Sequence, residues 1–192
     1  MNVAIVGASG AVGQEFLRIL AERDFPIDNL VLFGSERSAG KKYTFKGKEY
    51  EVKLLQHNDD FKDIDVAFTS AGGGTSKEFA ETITKYGAVM IDNSSAWRMD
   101  PEVPLVVPEV NAAALQSMKR GIVAIPNCTT TPLVMALKPL RDVAGIKRVV
   151  VTTFQSVSGT GSAAMDELVD QTKALISFQD VKVQVYTYQI AF

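Results

Sequence analysis

Five short apolar runs, rich in valine and isoleucine, recur along the chain, and helix-like stretches separate several of them. The runs occupy residues 3–6, 30–33, 66–69, 89–92 and 122–125. Strands of a parallel sheet are buried on both faces and read as continuous apolar runs, with helices in the connections between them. The alternation therefore predicts a mostly parallel α/β sheet.

The connections also carry recognisable local patterns. Apolar residues repeat at helical spacing over residues 11–23, which predicts the first helix. A second helix is predicted over residues 76–86, ending at Gly87. Residues 43–54, with the turn Lys46-Gly47-Lys48 at their centre, predict an antiparallel hairpin attached to the sheet.

The last third of the chain predicts three further elements. Residues 146–154 indicate a long strand, and residues 162–174 indicate a helix. The alternation of Val181, Val183 and Val185 with polar residues indicates a half-exposed strand.

Composition excludes several classes of protein. The 192 residues carry a net charge of −2, which provides no basic patch for nucleic acid, and the apolar start is too short for a signal peptide or a membrane span. The single cysteine, Cys128, excludes an internal disulfide and a cysteine-rich metal site. We therefore expect no metal, no nucleic acid and no membrane partner, and we expect a reducing, cytoplasmic location.

A glycine loop follows the first predicted strand in the sequence Gly7-Ala8-Ser9-Gly10-Ala11-Val12-Gly13. At such a strand-to-helix turn, backbone N–H groups at the positive end of the helix can approach a pyrophosphate. Glycines that end a strand and allow close helix packing are the alternative interpretation. The position at the first strand-to-helix turn favours a Rossmann-type sheet that binds a dinucleotide.

Two later loops bear on the choice of cofactor. Arg37 and Ser38 follow the second strand, where an NAD-specific site usually presents an acidic side chain to the ribose 2′-hydroxyl. They favour NADP(H), with Glu36 pointing away; a solvated basic turn is the alternative. The small residues of Ser70-Ala71-Gly72-Gly73-Gly74 indicate either a loop beside the cofactor or a merely flexible one.

Cys128 lies between a strand and a predicted helix, in the sequence Pro126-Asn127-Cys128-Thr129, and Pro132 suits the first turn of that helix. The helix dipole and free N–H groups at a helix start stabilise a thiolate, as a nucleophile at neutral pH requires. A buried structural cysteine is the alternative, but the polar neighbours are a poor lining for an inert core site.

Five segments together make the chain resemble the aspartate-β-semialdehyde dehydrogenase family over nearly its whole length: residues 7–13, 37–41, 92–95, 104–111 and 126–129. The resemblance implies an NADP-binding domain over residues 1–127, without its usual carboxy-terminal helix. It further implies that residues 128–192 are the incomplete first part of an α+β catalytic and dimerisation domain. A homodimer is expected on the same ground.

The resemblance also implies a reaction and the residues that perform it. Cys128 would attack the acyl phosphate of L-aspartyl 4-phosphate and release phosphate, and hydride from NADPH would reduce the thioester to L-aspartate 4-semialdehyde. Arg98 matches a phosphate-binding arginine and Gln155 a substrate-positioning glutamine, while Asn127 would orient phosphate or the developing oxyanion. The implied cofactor contacts are Gly7, Ser9, Gly10, Ala11, Val12, Arg37, Ser38, Ser70, Gly72, Asn93, Ser158 and Gly159. The family serves lysine, methionine, threonine and isoleucine biosynthesis.

Two other functions compete with this one. N-acetyl-γ-glutamyl-phosphate reductase shares the fold and the cysteine, although the stretch Val107-Pro108-Glu109-Val110-Asn111 favours the aspartyl enzyme. A truncated, inactive NADP-binding or interaction protein is the third reading. The family's acid/base histidine has no counterpart here, because His57 lies in a polar loop and is predicted to be solvated. Residues 1–192 alone are therefore predicted not to turn over substrate.

Overall fold

Seven strands form one sheet in the computed structural model, which describes all 192 residues. The strands are β1 (Asn2–Val6), β2 (Asn29–Gly34), β3 (Lys42–Phe45), β4 (Lys48–Leu54), β5 (Val66–Thr69), β6 (Val89–Asp92) and β7 (Ile122–Ala124). Their order across the sheet is β3-β4-β2-β1-β5-β6-β7. Every neighbouring pair is parallel except β3 and β4, which form the predicted antiparallel hairpin. The predicted Rossmann-type architecture is confirmed.

The chain has five helices, of which the first three lie in connections between strands and the last two follow β7. They are α1 (Ala11–Glu22), α2 (Gly73–Thr84), α3 (Pro108–Asn111), α4 (Thr130–Ala144) and α5 (Ser162–Ile176), with short 3₁₀ segments over Ala112–Ser117 and Val157–Thr160. Helix α2 begins three residues before the predicted start, because the N–H of Ser76 already bonds the carbonyl of Gly72 at 3.0 Å. None of these helices is both long and apolar enough to span a bilayer.

The sheet buries apolar side chains on both faces, because successive residues of a strand point to opposite sides. Val3 and Ile5 of β1 pack in the same cluster as Leu17 of α1. Ala4 and Val6, the alternate residues of that strand, belong to the cluster that includes Phe79 of α2. The sheet is therefore covered on its two faces by different helices, which leaves its carboxyl edge for the loops.

The order in which strands are added to the sheet switches from one side of β1 to the other, although the strands beside β1 stay parallel to it. After β1 the chain forms β2 on one side, and it later forms β5 on the other side of β1. In open parallel sheets, ligands bind outside the carboxyl ends of the strands at this switch point. Gly7 and Ser70 are the residues that directly follow β1 and β5.

Chain contacts divide the molecule into two compact units, Met1–Val149 and Val150–Phe192. The first contains the whole sheet with helices α1 to α4. The second contains α5 and the segment that follows it. The domain boundary after residue 127 stays a prediction.

In the second unit, the side chains of Glu167 and Gln171 on α5 hold the segment that follows the helix. Glu167 is 5% exposed and accepts hydrogen bonds from the backbone N–H groups of three consecutive residues, 184–186, at 2.6–3.3 Å. Gln171 accepts from the N–H of Ile190 at 2.9 Å and donates to the carbonyl of Lys182 at 3.0 Å. Two helix side chains thus take the place of a strand partner for this segment.

Two predicted strands are wrong. Residues 146–154 and 181–185 have no regular secondary structure, and Val150 and Phe154 are 78% and 95% exposed. A strand is stable only when a neighbouring strand takes up its N–H and C=O groups, and neither segment pairs with a strand of this chain. The predicted helix over residues 162–174 is confirmed as α5.

Candidate active site

The three loop glycines after β1 have different roles. Gly7 has φ +88°, and a Cβ there would lie 2.4 Å from the carbonyl oxygen of Ser70. A Cβ on Gly13 would lie 2.3 Å from the carbonyl oxygen of Gly7, so this glycine allows α1 to pack on the loop. Gly10 is exposed, and a Cβ there would meet only the Gly7 oxygen at 3.4 Å. The Gly10 N–H already donates to the Gly7 carbonyl at 3.0 Å, so the N–H groups open to a phosphate are those of the first turn of α1.

The loop contains one buried polar atom without a partner. The hydroxyl oxygen of Ser9 is inaccessible and forms no hydrogen bond within the protein. Buried hydroxyl groups are almost always satisfied, and this one lies beside Gly10, which precedes the first turn of α1. Unpaired N–H groups at a helix start and an unpaired hydroxyl suit the oxygens of a phosphate. The loop therefore fits the pyrophosphate of a dinucleotide.

The turn after β2 presents a cation beyond the glycine loop. Ser38 packs against Gly34, where a Cβ would lie 2.9 Å from the Ser38 Cβ, and its N–H bonds the carbonyl of Ser35 at 2.8 Å. Arg37, by contrast, is exposed. The turn thus holds Ser38 against the strand and leaves the guanidinium of Arg37 free for a 2′-phosphate.

Ser70 and Asn93 join the neighbouring ends of β5 and β6. The Asn93 side-chain amide donates from Nδ2 to the Ser70 hydroxyl at 3.2 Å. Gly72 has φ +88° with nothing near its missing Cβ, so the backbone conformation, and not space, requires a glycine there. Ser70, whose carbonyl lies against Gly7, connects Asn93 to the glycine loop.

Arg98 connects the carboxyl ends of β6 and β7. Its Nε donates to the carbonyl of Ile125 at 2.9 Å, and its Nη2 donates to the carbonyl of Asn93 at 3.2 Å. Two of its five N–H groups are used in this way, and the remaining ones are free for an anion. The predicted phosphate ligand is half-buried and held by the backbone, and it is not a mobile surface arginine.

Cys128 is exposed and lies just before the start of α4. Asn127 beside it accepts from the backbone N–H of Thr129 through Oδ1 at 3.1 Å, and its carbonyl accepts from the N–H groups of Thr130 and Thr131 at 2.9 and 3.1 Å. Pro132, in the first turn as predicted, has no N–H. The N–H groups expected to stabilise a thiolate are therefore used by Asn127. Its Oδ1 also accepts from the Cys128 thiol at 3.8 Å, whereas its Nδ2 donates to no protein atom.

Sequence reasoning did not single out Asp92 at the end of β6. Its side chain is completely buried, and it accepts hydrogen bonds from the hydroxyls of Thr69, Ser76 and Ser94 at 2.9, 2.9 and 2.6 Å. A charged side chain at the end of a buried apolar strand was the available signal. No group of three histidine, cysteine or acidic side chains is arranged to hold a metal ion.

The other predicted site residues belong to the second unit. Gln155 is exposed in an irregular segment, and Ser158 and Gly159 lie in the 3₁₀ turn Val157–Thr160. The hydroxyl of Ser156 accepts from the N–H of Ser158 at 3.4 Å and fixes the start of this turn. His57 is exposed in the first unit and stacks on Phe79 with ring centroids 4.4 Å apart, so its predicted surface position is confirmed.

The sheet order and the glycine loop define a Rossmann-type domain of the dinucleotide-binding class. A family model described as semialdehyde dehydrogenase, NAD binding domain, matches residues 2–118, and one described as semialdehyde dehydrogenase, dimerisation domain, matches residues 137–192. The chain belongs to the semialdehyde dehydrogenase family.

Individual relatives agree with the resemblance stated from the sequence. The aspartate-semialdehyde dehydrogenase of Aquifex aeolicus is 59% identical over all of this chain and 57% of its own length. Aspartate semialdehyde dehydrogenase II from Vibrio cholerae, complexed with ASA, is 46% identical with a TM-score of 0.92, over 99% of this chain and 56% of that one. The Candida albicans enzyme with NADP is 29% identical with a TM-score of 0.61, over 76% of this chain and 48% of that one. The chain spans about half the length of these relatives.

Proposed function

We propose that this chain is part of an NADPH-dependent aspartate-semialdehyde dehydrogenase, which reduces L-aspartyl 4-phosphate to L-aspartate 4-semialdehyde for lysine, methionine, threonine and isoleucine biosynthesis. The observation that carries the proposal is the exposed thiol of Cys128, located at the same sheet edge as the glycine loop and Arg98. A nucleophile, an anion-binding cation and a dinucleotide site at one edge are the parts that a reductive dephosphorylation requires.

Cys128 and its neighbours perform the first half of the reaction. The Cys128 thiolate attacks the acyl carbon and forms a C–S bond, the bond between that carbon and the phosphate oxygen breaks, and phosphate leaves with its electron pair. The free N–H groups of Arg98 bind the phosphate oxygens, and Nδ2 of Asn127 donates to the oxyanion that develops on the acyl oxygen. By its match to the family's glutamine, Gln155 is the proposed substrate-positioning residue.

The dinucleotide supplies a hydride when bound, and this hydride reduces the thioester to the aldehyde. As the C–S bond breaks, its electron pair returns to the sulfur of Cys128, which restores the thiolate. The glycine loop and Ser9 bind the pyrophosphate, and Arg37 with Ser38 binds the 2′-phosphate that distinguishes NADP from NAD. The NAD binding domain model and the relative named with NADP support this assignment. The remaining proposed contacts are Ala11, Val12, Ser70, Gly72, Asn93, Ser158 and Gly159.

We further propose a cytoplasmic homodimer as the working assembly. The model described as a dimerisation domain, matched by residues 137–192, supports the dimer. With a single cysteine the chain forms no internal disulfide and needs no oxidising compartment, which supports the location.

The test uses the protein at the length that its native gene encodes, called here the native-length protein. With L-aspartate 4-semialdehyde, phosphate and NADP⁺ as substrates, we expect NADPH to form only when phosphate is present. The absorbance of NADPH measures the rate. Cys128→Ala removes the nucleophile, so turnover should disappear while NADPH affinity stays unchanged. Turnover retained by Cys128→Ala would refute the assignment of the nucleophile.

The same assay separates the other two functions. Activity with N-acetylglutamate 5-semialdehyde in place of the aspartyl compound would identify the acetylglutamyl enzyme. NADPH binding without turnover of either semialdehyde would identify an inactive binding protein. The names of the relatives favour the aspartyl substrate.

A further inference from the structure

The completely buried carboxylate of Asp92 has no function in the reaction described above. It lies at the carboxyl end of β6, directly before Asn93. All three of its hydrogen-bond donors are hydroxyl groups, and no cation pairs with it. A buried charge without a counter-ion costs stability unless several hydrogen bonds satisfy it, so its retention at this edge of the sheet needs an explanation.

The donors to Asp92 come from three separate segments. Thr69 ends β5, Ser76 lies in α2, and Ser94 lies in the turn after β6. One carboxylate therefore holds the turn that follows its own strand against the neighbouring strand and a helix.

Two of these donors also accept hydrogen bonds from the turn at residues 93–98. The Ser94 hydroxyl, 2.6 Å from Asp92, accepts from the N–H of Ala96 at 3.1 Å. The Ser76 hydroxyl accepts from the indole Nε1 of Trp97 at 2.9 Å. Trp97 directly precedes Arg98, so groups bonded to Asp92 hold the turn that carries the arginine at two points, the backbone N–H of Ala96 and the side chain of Trp97.

We infer that Asp92 is a positioning residue for Arg98, acting through Ser94 and through Ser76 with Trp97. Its carboxylate fixes the turn at residues 93–98, so that the guanidinium of Arg98 meets the carbonyls of Asn93 and Ile125 with its free N–H groups in one direction. This inference rests on the proposed function, in which those N–H groups bind phosphate. Asp92 itself touches neither substrate nor cofactor.

Two substitutions in the native-length protein weaken the link. Asp92→Asn keeps the shape but provides one acceptor oxygen in place of two, and Ser94→Ala removes one hydroxyl from a partly buried position. Ser95→Ala is the matched control, because Ser95 is exposed in the same turn. In semialdehyde oxidation we expect Ser94→Ala to raise KM for phosphate roughly threefold to tenfold. The KM of Ser94→Ala for NADP⁺ should stay unchanged, and so should the KM of Ser95→Ala for phosphate.

A double substitution tests whether the effect passes through the arginine. Arg98→Lys keeps the positive charge but loses the planar set of N–H donors of the guanidinium, so it raises KM for phosphate by itself. If Ser94 acts through Arg98, adding Ser94→Ala to Arg98→Lys produces no further rise. A full additional rise would overturn the inference.

A spectroscopic measurement keeps the inference testable if the proposed function fails. The Arg98 Nε–H, bonded to Ile125, should give a protected ¹⁵N–¹H signal, assigned by its loss in Arg98→Lys. We expect faster exchange of this signal with water in Asp92→Asn and Ser94→Ala and no change in Ser95→Ala. Unchanged exchange in folded Ser94→Ala protein would overturn the inference, whereas an inactive wild type with changed exchange would overturn the proposed function alone.

Discussion

Asn127 accepts a hydrogen bond from the backbone N–H of Thr129 at 3.1 Å and a second from the Thr129 hydroxyl at 2.8 Å, both through its side-chain Oδ1. The same oxygen accepts from the Cys128 thiol at 3.8 Å, so it orders the approach to α4, whereas Nδ2 has no partner in the protein. The two halves of one amide group have separate tasks, and they can be separated by substitution.

Asn127→Asp keeps an oxygen for Thr129 and replaces the Nδ2 donor by a second acceptor. We expect turnover of the native-length protein to fall about a hundredfold or more, because an oxyanion donor is lost. Unfolding temperature and NADPH affinity should change little. Thr129→Val, which removes only the hydroxyl bond to Oδ1, is the control and should reduce turnover far less. Equal losses in both variants would show that Nδ2 has no separate role.

The glycine loop predicts two different outcomes for two alanine substitutions. Gly13→Ala places a methyl group 2.3 Å from the Gly7 carbonyl oxygen, so we expect the free energy of unfolding to fall by about 1–3 kcal/mol. Gly10→Ala places its methyl group 3.4 Å from the same oxygen, on the exposed side. The free energy of unfolding of Gly10→Ala should change little, but its affinity for NADPH should fall because the methyl group obstructs the phosphate. Denaturation and NADPH titration of both variants check this, and the reverse pattern would contradict it.

Arg37→Ala should weaken NADPH binding and leave NADH binding unchanged. A charged hydrogen bond contributes about 1.5–3 kcal/mol, so the loss should be roughly tenfold to a hundredfold in affinity for NADPH. Lys42→Ala is the control, because that exposed cation on β3 pairs with Glu49. Fluorescence titration with both nucleotides measures the effect. Equal weakening of NADPH and NADH by Arg37→Ala would argue against a 2′-phosphate contact.

The fold follows from the sequence more closely than the site does. The strand runs and the glycine loop predicted the sheet, because burial on both faces leaves a strong apolar pattern. The strands predicted near Val150 and Val183 failed because strand pairing depends on a partner that local pattern does not reveal.

Within the site, the local sequence indicated Cys128 and the family resemblance indicated Arg98, but neither revealed what surrounds them. The bonds from Arg98 to Asn93 and Ile125 depend on β6 and β7 being neighbours, which the order of strands in the sequence does not state. The same holds for Asp92, whose donors lie up to 23 residues away along the chain. Contacts between distant segments are the part that required the structure.

The second unit should lose stability in acid through Glu167. The hydrogen bond from the N–H of Gln184, together with those from Val185, Tyr186 and Gln171, lowers the pKa of Glu167, while burial opposes the shift. A carboxyl with a lowered folded pKa contributes stability above its unfolded pKa of about 4.3, and this contribution is lost as pH falls through the folded value.

Glu167→Gln tests this contribution. We expect a lower denaturation midpoint near neutral pH, because an amide N–H₂ then faces backbone N–H groups, and we expect the difference from wild type to shrink below about pH 4. Asp170→Asn, on the exposed face of the same helix, is the control. A difference between Glu167→Gln and wild type that does not change with pH would contradict the charge-dependent part.

The contact between Gly13 and the carbonyl of Gly7 also bears on engineering of nucleotide preference. Because backbone atoms shape the loop, redesign of its side chains has little freedom to change which nucleotide is accepted. The turn that carries Arg37 is different, since its guanidinium is solvated and tolerates exchange. Directed evolution toward NADH in place of NADPH should therefore select substitutions in the turn after β2 and leave the loop glycines unchanged.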